Sequence, residues 1–134
     1  MKHPHTSTFL RRLLIADAAL SGATAVLLLA AAPMLADLLG LPESLLRGAG
    51  ISLIPFVALL VYLLRKDALP RPAVWLVVAC NALWAIDSIL LLFTNWVDPT
   101  LVGHVFVVFQ ALVVGALAEA QYVGLRRWAV IDGQ

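Results

Sequence analysis

Four long apolar segments constrain this chain more than any other feature. They cover residues 13–32, 48–64, 72–93 and 101–125, runs of 20, 17, 22 and 25 residues. Crossing about 30 Å of hydrocarbon takes roughly 20 residues of helix. In lipid every backbone polar group must find its partner within the protein, so helices are the economical way to span. The runs are too long and too continuously apolar for barrel strands. The fold class expected is all-α: a polytopic, antiparallel four-helix transmembrane bundle. Residues 1–134 form a single transmembrane domain, with helices at about 8–32, 44–65, 72–94 and 99–126. Composition agrees, at 63% hydrophobic and 13% charged, against about half and a quarter in soluble domains.

Punctuation between the spans suits this reading. Pro33 lies near the end of the first helix, and Pro42 followed by Glu43 and Ser44 suits a helix start. Pro70 and Pro72 flank Arg71 and should stop one helix and start the next. Asp98-Pro99 reads as a cap followed by proline in the first helical position. Short connections make sequential helices antiparallel neighbours. The apolar stretch after Arg12 exceeds the hydrophobic region of an ordinary signal peptide, so it is read as an uncleaved first helix.

Lys and Arg set the expected orientation. Lys2, Arg11, Arg12, Arg65, Lys66, Arg71, Arg126 and Arg127 fall on one side, and Arg47 alone on the other. Both termini should face the cytoplasm. Trp75 and Trp128 then mark the inner boundary and Trp96 the outer one. Abundant Ala, Leu and Val, with Arg favoured over Lys, suggest a bacterium with a GC-rich genome. The expected location is the cell inner membrane, as a multi-pass protein.

Polar residues within the spans are the candidates for chemistry. Turning 100° per residue, Cys80, Asn81, Trp84, Asp87, Ser88 and Leu91 share one arc of the third span. Leu76, Ala79, Leu83, Ile86, Leu90 and Phe93 make a lipid-facing arc. In the first span Asp17, Ser21, Thr24 and Leu28 align; in the fourth, Gln110 and Gln121 align with Gly103. By helical rise, Asp87 and Gln110 lie roughly 22–24 Å from the inner boundary, and Asp17 and Gln121 about 6–8 Å. The expectation is a polar seam in which Asp87 and Gln110 bond and Asn81 sits between the two levels.

An acid at the bilayer centre costs about 2.5–3.5 kcal/mol on insertion scales, which makes it a functional candidate by default. Asp87 is the sharpest case, since Arg47 is the only base on its side. It is expected to be charged only where a cation or a water-filled path reaches it. Asn81, Ser88, Gln110 and Ser21 suit interhelical bonds of about 0.6–2 kcal/mol each. Asp17 and Glu119 could reach Arg11, Arg12, Arg126 or Arg127. His104 suits an interfacial position, Cys80 a small buried hydrophobe, and Pro55 a kink in the second span. The candidate ligand- or proton-binding set is therefore Asp87, Asn81, Trp84, Ser88, Gln110, Asp17, Ser21, Glu119 and His104.

The remaining classes are excluded by what the sequence lacks. A net charge of +1 does not make a nucleic-acid face. One cysteine cannot form a disulfide framework or a cysteine-rich metal site. No catalytic motif of the nucleophile-elbow, metalloprotease or phosphate-loop kind occurs. No catalytic residue, metal or cofactor is expected. A copper or nickel wrap around His3, near His5, is conceivable, but a disordered tail is the simpler reading. The expected function is non-enzymatic: binding a lipid or hydrophobic small molecule, or serving as an accessory subunit of a membrane complex. The alternative is an oligomeric small transporter or channel using Asp87 or Asp17 as a proton or cation site. Expected partners are the lipid bilayer, a lipid or hydrophobic small molecule, and a second copy or another membrane protein.

Overall fold

A computed structural model describes the backbone of residues 4–131 and the side chains of residues 8–127. Among the described residues the chain is entirely helical: α1 (Pro4–Ala30), α2 (Ala32–Leu39), α3 (Glu43–Leu64), α4 (Arg71–Leu91) and α5 (Leu101–Ile131). Four of these, α1, α3, α4 and α5, are long and apolar enough to cross a membrane. Their outward surfaces are apolar, with Val26, Ile51, Leu83, Ile86, Phe109 and Leu112 all more than half exposed. That suits contact with hydrocarbon rather than water.

The helix α2 was not foreseen; the sequence reading placed a connection there. Pro33 cannot donate a backbone bond, so the first helix breaks at Ala31. The chain re-enters helix at once, with proline in its favoured first turn. Ala32, Leu35 and Leu39 turn inward. Gly40 ends α2 in the left-handed conformation, φ 69°, and its N–H reaches the Ala36 carbonyl.

This end of the bundle is fastened to the start of α5. Thr100, not Asp98, caps that helix. Its hydroxyl accepts the Gly103 N–H at 3.0 Å and donates to the Leu38 carbonyl at 2.8 Å. The Thr100 N–H bonds the Leu39 carbonyl at 3.0 Å. At the opposite end Arg11 of α1 caps α3. Its guanidinium donates to the carbonyls of Leu64, Lys66 and Asp67 at 3.0, 2.9 and 3.2 Å. A cation on the unpaired carbonyls of a helix C-terminus is favourable.

Helix contacts are uneven, and that places the site. The pairs α1–α3 and α4–α5 pack closely along their lengths, and α1 with α5 joins them. Helices α3 and α4 barely touch. At the end carrying the termini, all four long helices feed one apolar cluster: Leu10, Leu14, Leu60, Leu63, Val74, Val77 and Leu125, with Leu69 from the connection. At the α2 end the buried cluster is drawn from α1, α2, α3, α5 and Leu41. There α4 adds only the partly buried Trp84, with Leu92 just beyond its end.

The α2–α5 fastening predicts a steric result. A Cβ on Gly103 would fall on the Leu39 carbonyl oxygen, whereas one on Gly22 meets nothing within 4 Å. Gly103→Ala should destabilise the bundle by about 1–3 kcal/mol. Gly22→Ala should be neutral or gain up to about 1 kcal/mol of helix propensity. Unfolding midpoints followed by circular dichroism in lipid or detergent compare the two variants.

Candidate polar cleft between α3 and α4

Two polar layers lie at different heights in the bundle. The lower one is buried. Asp17 of α1, Asn81 of α4 and Gln121 of α5 are 1%, 4% and 0% exposed. Asp17 Oδ2 accepts the Asn81 side-chain amide at 2.6 Å and that of Gln121 at 2.9 Å. Asp17 Oδ1 accepts the Ser21 hydroxyl at 3.1 Å. Asn81 donates its second amide hydrogen to Gln121 Oε1 at 3.1 Å. A carboxylate only accepts, so both amides are obliged to turn their nitrogens towards it.

This layer corrects two expectations. Asp17 does not reach for the arginines at the surface; Arg11 is occupied with the end of α3. Asn81 does not lie between two levels but joins Asp17 and Gln121. The backbones of α1 and α4 make no close approach, so the amide–carboxylate bond spans the bundle diagonal.

The upper layer is open. Where α4 leaves α3, a cleft of about 780 Å³ runs between them towards the α2 end. A smaller pocket of about 280 Å³ continues it downward as far as Asn81 and Ser21. Ser52, Trp84 and Asp87 line both. Helix α3 gives the cleft its room by presenting small residues, Ser44, Gly48, Ala49 and Ser52, on its wall. Ser52 returns its own hydroxyl to the Gly48 carbonyl at 2.8 Å, so it leaves no unsatisfied donor. Pro55, one turn further on, lies inside an α3 that runs unbroken from Glu43 to Leu64.

On the other wall Trp84 Nε1 donates to Gln110 Oε1 at 3.0 Å, and Gln110 Nε2 donates to the Val107 carbonyl at 3.0 Å. Gln110 is therefore satisfied by the indole and its own helix, not by Asp87 as its depth suggested. Ser88 turns back to the Trp84 carbonyl at 2.7 Å. Asp87 is exposed in the cleft and makes no hydrogen bond or ion pair among the described residues. Arg47 is held by Glu43, with Nη2 at 2.6 Å and Nε at 2.9 Å from the same oxygen.

The other candidates lie apart. Glu119 is exposed on α5, outside both pockets. His104 is exposed near the start of α5, and its Nδ1 lies 3.1 Å from the Thr100 carbonyl, so that nitrogen carries the proton. Cys80 is half-buried and lines the lower pocket. The His3 and His5 arrangement and the side chain of Trp128 lie outside the described side chains. Among the described residues, no three His, Cys, Asp or Glu side chains converge into a metal-sized cluster.

The two acids should respond differently to mutation. Asp17→Leu leaves the Asn81 and Gln121 amides without their acceptor, at about 1–3 kcal/mol for each stranded group. Asp87→Asn removes no contact and should leave the unfolding midpoint within the error of wild type. Thermal unfolding of both variants in the same detergent tests the pair. A larger loss in Asp87→Asn than in Asp17→Leu would contradict these assignments.

Comparison with protein-family models, with curated proteins and with solved structures finds no match to this chain.

Proposed function

We propose that this chain is a multi-pass protein of a bacterial inner membrane, and that it binds a lipid or hydrophobic small molecule in the α3–α4 cleft without catalysing a reaction. The spans run alternately across the bilayer with both termini in the cytoplasm. The cleft carries the reading. It has the size of a small-molecule pocket, about 300–1,000 Å³, mostly apolar walls, and a few polar side chains, Asp87 among them. Its opening lies on the flank of the bundle, where a hydrophobic molecule arrives through the bilayer.

The orientation rests on charge. Among the described residues, Arg11, Arg12, Arg65, Lys66, Arg71, Arg126 and Arg127 gather at the termini end with Asp67; Asp37, Glu43 and Asp98 lie at the α2 end with Arg47. Excess Lys and Arg mark the cytoplasmic side. A binding pocket is favoured over a through-passage by the apolar cluster of Leu10, Leu14, Leu60, Leu63 and Leu125, which fills the termini end beneath the Asp17 layer. One observation favours an additional protein contact. Glu119 stands on the exposed face of α5 with Leu112 and Val123 and has no partner among the described residues. A carboxyl facing hydrocarbon is costly, so a second copy or another membrane protein covering that face is the natural complement.

Two experiments test this reading. In a Cys80→Ser background, Asp98→Cys should react with a membrane-impermeant thiol reagent added outside intact cells, and Asp67→Cys should react only after lysis. The reverse pattern would invert the topology. For binding, Gly48→Phe projects a ring into open space, since a Cβ there meets nothing. It should fold normally and lose photocrosslinking of an alkyl diazirine probe to the cleft walls. Undiminished labelling of those peptides would remove the cleft as the site.

A further inference from the structure

From the unpaired Asp87 carboxyl on the cleft wall we infer that the occupant is a cationic amphiphile: an ammonium-type head on a single hydrophobic tail, without a phosphate. This inference rests on the cleft being a binding site, and it names the ligand class.

The occupant's charge follows from what surrounds Asp87. It lines both the cleft and the pocket beneath, and has no hydrogen-bond donor or cation among the described residues. Asp17, the same residue type one layer down, collects three donors. The Ser88 hydroxyl and the Trp84 indole donate elsewhere, and Gln110 turns its amide nitrogen to the Val107 carbonyl. Arg47, the base at this end, is committed to Glu43. A carboxylate in a low-dielectric cleft with no internal partner has one strong complement, a cation brought by the ligand. The indole of Trp84 lines the same level, and aromatic faces attract ammonium and quaternary ammonium groups.

Depth and surface charge narrow the class. Asp87 lies four residues before the last residue of α4, Leu91, roughly 6 Å along the axis. A zwitterionic phospholipid would have to fold its head inward to bring an amine there. Its phosphate would come too, and no free base in the cleft is available to receive it. A simple cation meets no such cost. Asp37, Glu43 and Asp98 at that end, opposed by Arg47 alone, favour the approach of positive charge. The apolar lining of the pocket beneath Asp87 (Leu53, Phe56, Leu83 and Val114) then accommodates the start of the tail.

The test uses the full chain in phosphatidylcholine nanodiscs. Two diazirine-tailed dodecyl probes are crosslinked, one with a trimethylammonium head and one with an uncharged dimethylamine oxide head. The labelled peptides are mapped by mass spectrometry. The cationic probe should label the α3 and α4 walls at roughly tenfold lower concentration than the uncharged one. Asp87→Asn should abolish that preference while keeping the uncharged probe's labelling, which also reports that the variant is folded. Equal labelling by both probes in the wild type, or a preference that survives Asp87→Asn, overturns the inference and leaves the cleft as a binding site. Competition by dodecylphosphocholine as strong as that by dodecyltrimethylammonium also overturns it, in favour of a phospholipid head. If neither probe labels the walls above the level of Gly48→Phe, the inference and the binding reading fall together.

Discussion

A carboxylate in hydrocarbon needs donors, and the way Asp17 obtains them organises this bundle. Ser21 supplies one from the same helix; Asn81 and Gln121 supply the others from α4 and α5. Apolar packing alone does little to choose helix partners in a bilayer, because lipid tails are as apolar as leucine. A buried acid restricts the choice. With α4 and α5 rotated so that both amides meet Asp17, the apolar faces of Leu10, Leu14, Val74, Val77 and Leu125 are brought inward on the adjoining turns. The network therefore fixes rotation and height together, and the leucine cluster closes around it.

The same rotation leaves α3 with little to grip on α4 above that level. Towards α1, α3 packs closely: a Cβ on Gly50 would meet the Leu29 side chain at 2.8 Å. Towards α4 it offers Ser44, Gly48 and Ser52, which are too small to bridge the gap. Helix α4 instead follows α5, through Ala85 against Gly115, the Trp84–Gln110 bond and the edge-to-face contact of Trp75 with Tyr122 at 5.5 Å. The cleft is the consequence of two well-made pairs that share only one side.

Much of this was legible in the sequence. Length and hydropathy place the four spans, and a 100° rotation per residue puts Asn81 on the inward arc of α4 and Leu76 and Ile86 outward, whereas Leu83 and Leu90, expected on the same outward arc, line the two pockets. Shared depth brings Asp17 and Gln121 together. What depth could not decide was the partner at the upper level. Asp87 and Gln110 stand at similar heights, but Gln110 turns its amide nitrogen to the Val107 carbonyl of its own helix and its oxygen to the Trp84 indole. Helical periodicity also assumes that an inward arc meets another helix. For Asp87 it meets a gap, because the α3 wall opposite is made of small residues, Ser44, Gly48, Ala49 and Ser52, whose size and not whose polarity sets the separation. The α2 helix was hidden for a different reason: Pro33 reads as a stop, and the three inward positions after it are too few to show a period.

The division of labour between the two acids follows from where the helices can and cannot separate. Below the Asp17 layer any opening would expose Leu60, Leu63 and Val77 and break the diagonal bond to Asn81. Along α1–α3 and α4–α5 an opening would undo close packing over whole helix lengths. The α3–α4 seam above Asn81 has neither obligation. Widening it breaks no hydrogen bond, since Ser52, Ser88 and Gln110 are each bonded within their own helix or helix pair. Widening the seam would leave the lower layer and the two close helix pairs intact. Asp17, in the buried layer, is held by three donors from three helices. Asp87, on the seam that lacks those bonds, has no hydrogen-bond or ion-pair partner among the described residues.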